Sequence, residues 1–145
     1  MKYFIFGTGG FGTSSTPYTL PAPIKEKLLS LMEQNVQFLV GDCIGIDYLV
    51  QDFLFKHNYE NVLIYVSGRN TRVNIGNWVE CHTDPPQDCT GRAYYTHKDI
   101  AMREDCDAGI GVWDGISKGT KANIDGLWDR GKDVCVFNLS TGDWL

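Results

Sequence analysis

The sequence predicts a single doubly wound α/β domain, with a mainly parallel central sheet flanked by helices on both faces, across residues 1–145. Three observations carry this. Several short runs rich in β-branched or aromatic residues are continuously apolar rather than alternating, as strands covered on both faces are. Helical patterns with an apolar stripe lie between them. Strand and helix then alternate along the whole chain, which is the grammar of a parallel sheet with right-handed crossovers.

The elements follow in order. YFIF from Tyr3 is the first strand; its apolar run ends at Gly7, too early for the apolar stretch of a signal peptide. PIKEKLLSLMEQN is a helix with Ile24, Leu28, Leu31 and Met32 on one stripe and Pro23 suited to its first turn. QFLV from Gln37 is the second strand. The helix GIDYLVQDFLFKHN puts Leu49, Val50, Phe53 and Leu54 on a stripe, and Asp47 near its start favours the helix dipole. NVLIYV from Asn61 is the third strand. Residues 67–95 hold glycine, prolines and polar residues with no clean helix, and long segments of that kind are often functional. THKDIAMREDCD begins with Thr96 as N-cap and Asp99 three residues on, a capping-box pattern. AGIGVW from Ala108 is the fourth strand, TKANIDGLWDRG is a helix that stops at Gly131, and DVCVF from Asp133 is the last strand.

Ligands of such sheets bind beyond the carboxyl ends of the strands, where the strand order reverses. The segments at that edge therefore supply the candidates. In GTGGFG, the backbone of Gly7, Thr8 and Gly9 can meet a phosphate or ribose, or simply turn with positive φ. TSSTPYTLPAP separates this run from the next helix, which departs from the dinucleotide fingerprint. In GDCIGID, Gly41 frees the backbone, Asp42 can bond a ribose hydroxyl or cap amides, and Gly45 leads into a helix start that suits phosphate. Arg69 and Arg72 follow the third strand; they either grip phosphate through their planar fork or are simply solvated in the loop. Trp78 either stacks on a base or anchors its loop. DGISKGTKANI is the sharpest segment. Asp114, Ser117 and Thr120 offer polar atoms, Gly119 admits a ligand to the backbone, and the helix amides favour an anion. Thr120 can alternatively act as an N-cap. Asn123 lies on a helix surface expected to face the cleft, where a glutamate would be accepted.

Composition excludes several classes. The net charge is -5 with no lysine or arginine run, so a nucleic-acid partner is not expected. The five cysteines form no C-x-x-C pair, which favours a reducing, cytoplasmic setting. Cys81, His82, Cys89 and His97 fit no compact zinc spacing, so no metal is expected. No apolar run approaches the roughly 20 residues that span a membrane.

VGDCIGIDYLVQDFL, THKDIAMREDCDAGIGVWDGISKGTKANI and GKDVCVF resemble the SLOG superfamily. These are Rossmann-like domains related to the DNA-processing protein DprA, the YpsA-like proteins and the Lonely Guy enzymes. The second half is also similar to nucleoside 2-deoxyribosyltransferases. The resemblance implies a nucleotide pocket walled by the turn after the first strand, residues 41–45 and the turn 117–120. Lonely Guy enzymes carry P-G-G-x-G-T-x-x-E. Gly119 and Thr120 match that signature, whereas Lys118 and Asn123 depart from it, Asn123 standing where the glutamate would be. Glycosidic cleavage develops positive charge on the sugar, which a carboxylate stabilises and an amide does not. Asn123 can still bond a sugar hydroxyl or a base edge. Asp99 and Glu104 are the catalytic candidates, with Asp42 and Asp114 as further carboxylates; helix capping and solvated charge are their alternative roles.

The expectation is a cytoplasmic domain that binds a nucleotide or nucleotide-derived molecule as sensor or carrier. It needs no cofactor and no membrane, with homo-oligomerisation left open. The alternative is an N-glycosidic hydrolase or transferase acting on a nucleoside or nucleotide.

Overall fold

The computed structural model describes residues 1–9 and 19–145. The end of the GTGGFG run and the polar stretch after it, residues 10–18, lie outside the described residues. The chain runs β1 (Lys2–Gly7), α1 (Ala22–Glu33), β2 (Gln37–Gly41), α2 (Ile46–Lys56), β3 (Val62–Ser67), β4 (Val79–Thr83) and α3 (Gly91–Tyr95). It continues through α4 (His97–Asp105), β5 (Ala108–Trp113), α5 (Lys118–Asp129), β6 (Asp133–Asn138) and β7 (Asp143–Trp144). One sheet has the order β4-β3-β2-β1-β5-β6-β7. All pairings are parallel except that of β6 with the short β7. This is the expected doubly wound, Rossmann-like α/β architecture.

Period-two alternation along the strands builds two cores. Ile5, Phe38, Val40, Ile64 and Val66 face α1 and α2, which contribute Ile24, Leu28, Val50 and Leu54. Phe4, Phe6, Leu39, Tyr65 and Val136 face the other way, against Met102 of α4 and Ile124 and Leu127 of α5. Both sheet faces are thus dry, which explains the unbroken apolar runs. Chain direction across the sheet reverses at β1. Its connection through α1 leads to β2 on one side, while β5 on the other side leads through α5 to β6. The crevice at that reversal lies above the carboxyl ends of β1 and β5.

Residues 67–95 depart from the sequence expectation. They contain β4 and α3. β4 is an edge strand whose residues are exposed or half-buried, so no apolar run marks it. Trp78, just before it, packs on the α1–α2 core and donates its indole N–H to the Tyr59 carbonyl at 2.9 Å. It is an anchor away from the crevice. The capping-box pattern at Thr96 also resolves differently. Thr96 is the N-cap of α4, but its hydroxyl donates back to the Arg92 carbonyl at 2.7 Å. At α5, Ser117 occupies the N-cap and Thr120 is buried inside the first turn.

Candidate functional site

The turns after β1, β2 and β5 are locked to one another. Thr8 donates its amide to the Val112 carbonyl at 3.0 Å, and its own carbonyl accepts the Ile46 amide at 3.3 Å. The Thr8 hydroxyl accepts the Asp114 amide at 3.1 Å. Gly9 forms an antiparallel bridge with Gly45. Asp114 shapes the β5–α5 turn from within, because its Oδ1 accepts the Ile116 and Ser117 amides, each at 2.8 Å. The amino end of α5 is thereby aimed at the crevice.

A cavity of about 410 Å³ opens there. Its apolar side is Phe4, Phe6 and Met102. Gly7 and Gly9 line it from β1, and Ser117, Gly119 and Thr120 line it from the start of α5. Arg72, Arg92 and Tyr95 line it from the long segment before α4. Thr96 and Lys118 also line it, and its remaining polar lining is Cys43, Asp47, Lys98, Asp99 and Asn123.

These last residues form a charged group in which Asp47, Lys98 and Asn123 are buried and Cys43 and Asp99 half-buried. The Lys98 ammonium donates to the Tyr95 carbonyl at 2.8 Å and to Asp99 at 3.2 Å. Asn123 Nδ2 donates to the other Asp99 oxygen at 3.0 Å. Because that carboxylate can only accept, the amide is fixed in orientation. Asn123 Oδ1 is then a buried acceptor with no partner among the described residues. Asp47 accepts the Cys43 amide at 3.2 Å. Burial pushes its carboxyl up to about 6, against the pull of Lys98. Burial also disfavours the Lys98 cation, but Asp99 and Asp47 outweigh it and hold the ammonium above its ordinary range. The Cys43 thiol is raised by burial and by Asp47, the opposite of what a nucleophilic thiol needs. Gly41 makes room for this group. A side chain there would begin 2.5 Å from Asp47 Oδ2 and 2.8 Å from Lys98 Cε.

Arg72 is fastened from two sides. Its Nη2 donates to Asp42 Oδ1 at 2.8 Å and its backbone amide to Oδ2 at 2.9 Å. Its guanidinium lies 4.3 Å from the centre of the Tyr95 ring. Asp42 is 1% exposed, so losing its arginine would strand a buried charge at a cost of roughly 3–5 kcal/mol. Behind this pair, Gln51 bonds three backbone groups. Its Nε2 donates to the Gly41 carbonyl at 2.9 Å and the Val73 carbonyl at 3.1 Å, and its Oε1 accepts the Ile75 amide at 3.0 Å.

The expected site residues therefore separate by position. Gly7, Gly9, Arg72, Asp99, Ser117, Gly119, Thr120 and Asn123 line one cavity. Thr8, Gly41, Asp42, Gly45 and Asp114 stand behind it and hold its turns or side chains. Arg69 is exposed and does not line the cavity. Glu104 is exposed on α4, 3.8 Å from Arg130. Sequence reasoning missed Lys98, Arg92, Tyr95 and Gln51, and read Asp47 only as a dipole partner. The signal for Lys98 was its place beside Asp99 in the first turn of α4, which faces the sheet edge. No family model matches the chain, and no curated protein sequence matches it.

Proposed function

We propose that residues 1–145 form one nucleotide-binding domain that holds a nucleotide or nucleotide-derived small molecule above β1 and β5, as a sensor or carrier. One juxtaposition carries this reading. The amino end of α5, with Ser117 as its N-cap, adjoins the half-buried carboxylate of Asp99 and the buried acceptor of Asn123 in a single cavity. A helix amino end favours an anion. An unpartnered buried acceptor costs about 1–3 kcal/mol, which a ligand hydroxyl or N–H recovers. A nucleotide offers both groups on one molecule. The resemblance to SLOG domains points the same way.

The test is thermal unfolding with nucleosides and their monophosphates, paired with chromatographic detection of free base. A ligand at about a hundred times its Kd adds about 2.7 kcal/mol, a rise of roughly 5–10 °C for a domain of this size. We expect that rise with a monophosphate and no base release. No shift with any member of the panel would sink the reading.

A second reading, N-glycosidic cleavage or transfer, has one observation in its favour. Asp99 is oriented by Lys98 and Asn123 while lining the cavity, as a carboxylate that stabilises a developing oxocarbenium ion must be. Base release abolished in Asp99→Ala but retained in Glu104→Ala would establish it in place of the first.

A further inference from the structure

A second trough of about 380 Å³ runs between α4 and α5 and shares Arg92, Thr96, Asp99, Lys118, Gly119 and Asn123 with the main cavity. At its far end is Arg103, which belongs to this trough alone. Arg103 Nη1 donates to the Ala122 carbonyl at 3.0 Å. Its Nε is buried and has no partner among the described residues. No ion pair forms to Arg103, Arg92 or Lys118 among the described residues. The carboxylate in the trough, Asp99, is already bonded to Lys98 and Asn123. Three cations thus converge on one groove of a protein whose net charge is -5.

The arginine is also costly as it stands. Burial and the neighbouring Arg130 pull its guanidinium below the ordinary range, and Asp99 and Glu104 offset this only in part. The sequence makes room for it nonetheless. A side chain at Gly126, inside α5, would begin 2.7 Å from Arg103 Cδ and 3.0 Å from Nε. Glycine in a helix interior is unfavourable, and here it lets the arginine lie across α5 toward the trough.

We propose that the α4–α5 trough is a phosphoryl-binding annex to the main cavity, with Arg103 as the residue that selects ligands bearing a second phosphoryl group. The proposal rests on the nucleotide reading for the first group, which sits at the amino end of α5. The second group, joined to the first through one bridging oxygen, then lies beside it on the side of α5 that carries Ala122 and Arg103. Arg92 presents a planar N–H fork suited to phosphate, Arg103 offers the guanidinium N–H groups that its bond to Ala122 leaves free, and Lys118 adds a point charge.

Calorimetric titration tests this with three proteins: native, Arg103→Gln and Gly126→Ala. The last keeps the arginine but displaces it, so the test survives misfolding of the first variant. The probes are inorganic pyrophosphate and the 5′-mono- and diphosphates of adenosine, guanosine, cytidine and uridine. For the native protein we expect one diphosphate to bind about tenfold tighter than its monophosphate, a preference reduced to about threefold or less in both variants with the monophosphate unchanged. Pyrophosphate that binds the native protein and neither variant also supports the annex, and assigns it to a free phosphoryl anion. A diphosphate preference that persists in both variants overturns the proposal. So does the absence of any preference in the native protein, unless pyrophosphate binds the native protein and neither variant. If no nucleotide binds at all, the nucleotide reading fails, and the pyrophosphate arm still decides the annex.

Discussion

Asn123 joins a helix to a carboxylate. It faces the cavity as its sequence position suggested, but it is 4% exposed and its Nδ2 holds Asp99 at 3.0 Å, so it is a buried part of the wall rather than open surface. A glutamate there would not be accepted freely. It would put a second carboxylate beside Asp99 in a buried place, where two like charges cannot both ionise cheaply. We expect Asn123→Glu to lose about 3 kcal/mol of stability near pH 7.5, whereas Asn123→Ala loses less because Lys98 still holds Asp99. The sign with pH follows. The pair's shared proton binds more tightly in the folded state than in the unfolded chain, so the loss shrinks as the solution is acidified toward pH 5. Denaturant titrations at both pH values check this, and an equal loss at the two would contradict it.

The long segment between β3 and α4 is held by side chains rather than by a core. Gln51 is fully buried on α2 and replaces the strand partner that the segment lacks. Asn74 does the same locally, bonding both the amide and the carbonyl of Trp78. Gln51→Leu keeps the volume but strands three backbone groups, so we expect a loss of about 3 kcal/mol at about 1 kcal/mol per bond. Hydrogen exchange of the Ile75 amide should quicken far more than that of β1 amides. Protection unchanged at Ile75 would count against this role. This element also marks where the sequence stopped being legible. The strands of the doubly wound sheet are buried on both faces, so their apolar runs announce them. β4 is recognised only through backbone pairing with β3, which leaves no trace in residue type. The glycine turns of the site were readable because turn chemistry is local. The Asp42–Arg72 and Lys98–Asp99–Asn123 contacts were not, because each joins different elements of the chain.

At the scale of the molecule, the buried carboxyl of Asp47 sets a pH dependence of stability. Its value is about 6 in the folded chain against 3.8 ordinarily. Below the lower value it is protonated in both states and contributes its full share. As pH rises through about 6, the folded state must ionise a group the unfolded chain has already ionised, and that share is lost. At about 1.4 kcal/mol per pKa unit this amounts to about 3 kcal/mol. Asp47→Asn should therefore gain on the native protein by about that amount between pH 4 and pH 7.5, as read by unfolding at each pH. A difference that stays constant across the range would remove Asp47 from this role. The strand order has a consequence of another kind, for synthesis. β1 leaves the ribosome before β2 and β5, yet it sits between them, and Phe4 pairs with Gly109. A nascent chain halted before β5 keeps one side of β1 open, and Thr8 then lacks Val112 and Asp114. Such a product exposes a long apolar edge, which invites aggregation or removal by quality control, and holds no part-formed pocket. The cavity above β1 and β5 is therefore completed only once translation has passed through β5 and α5.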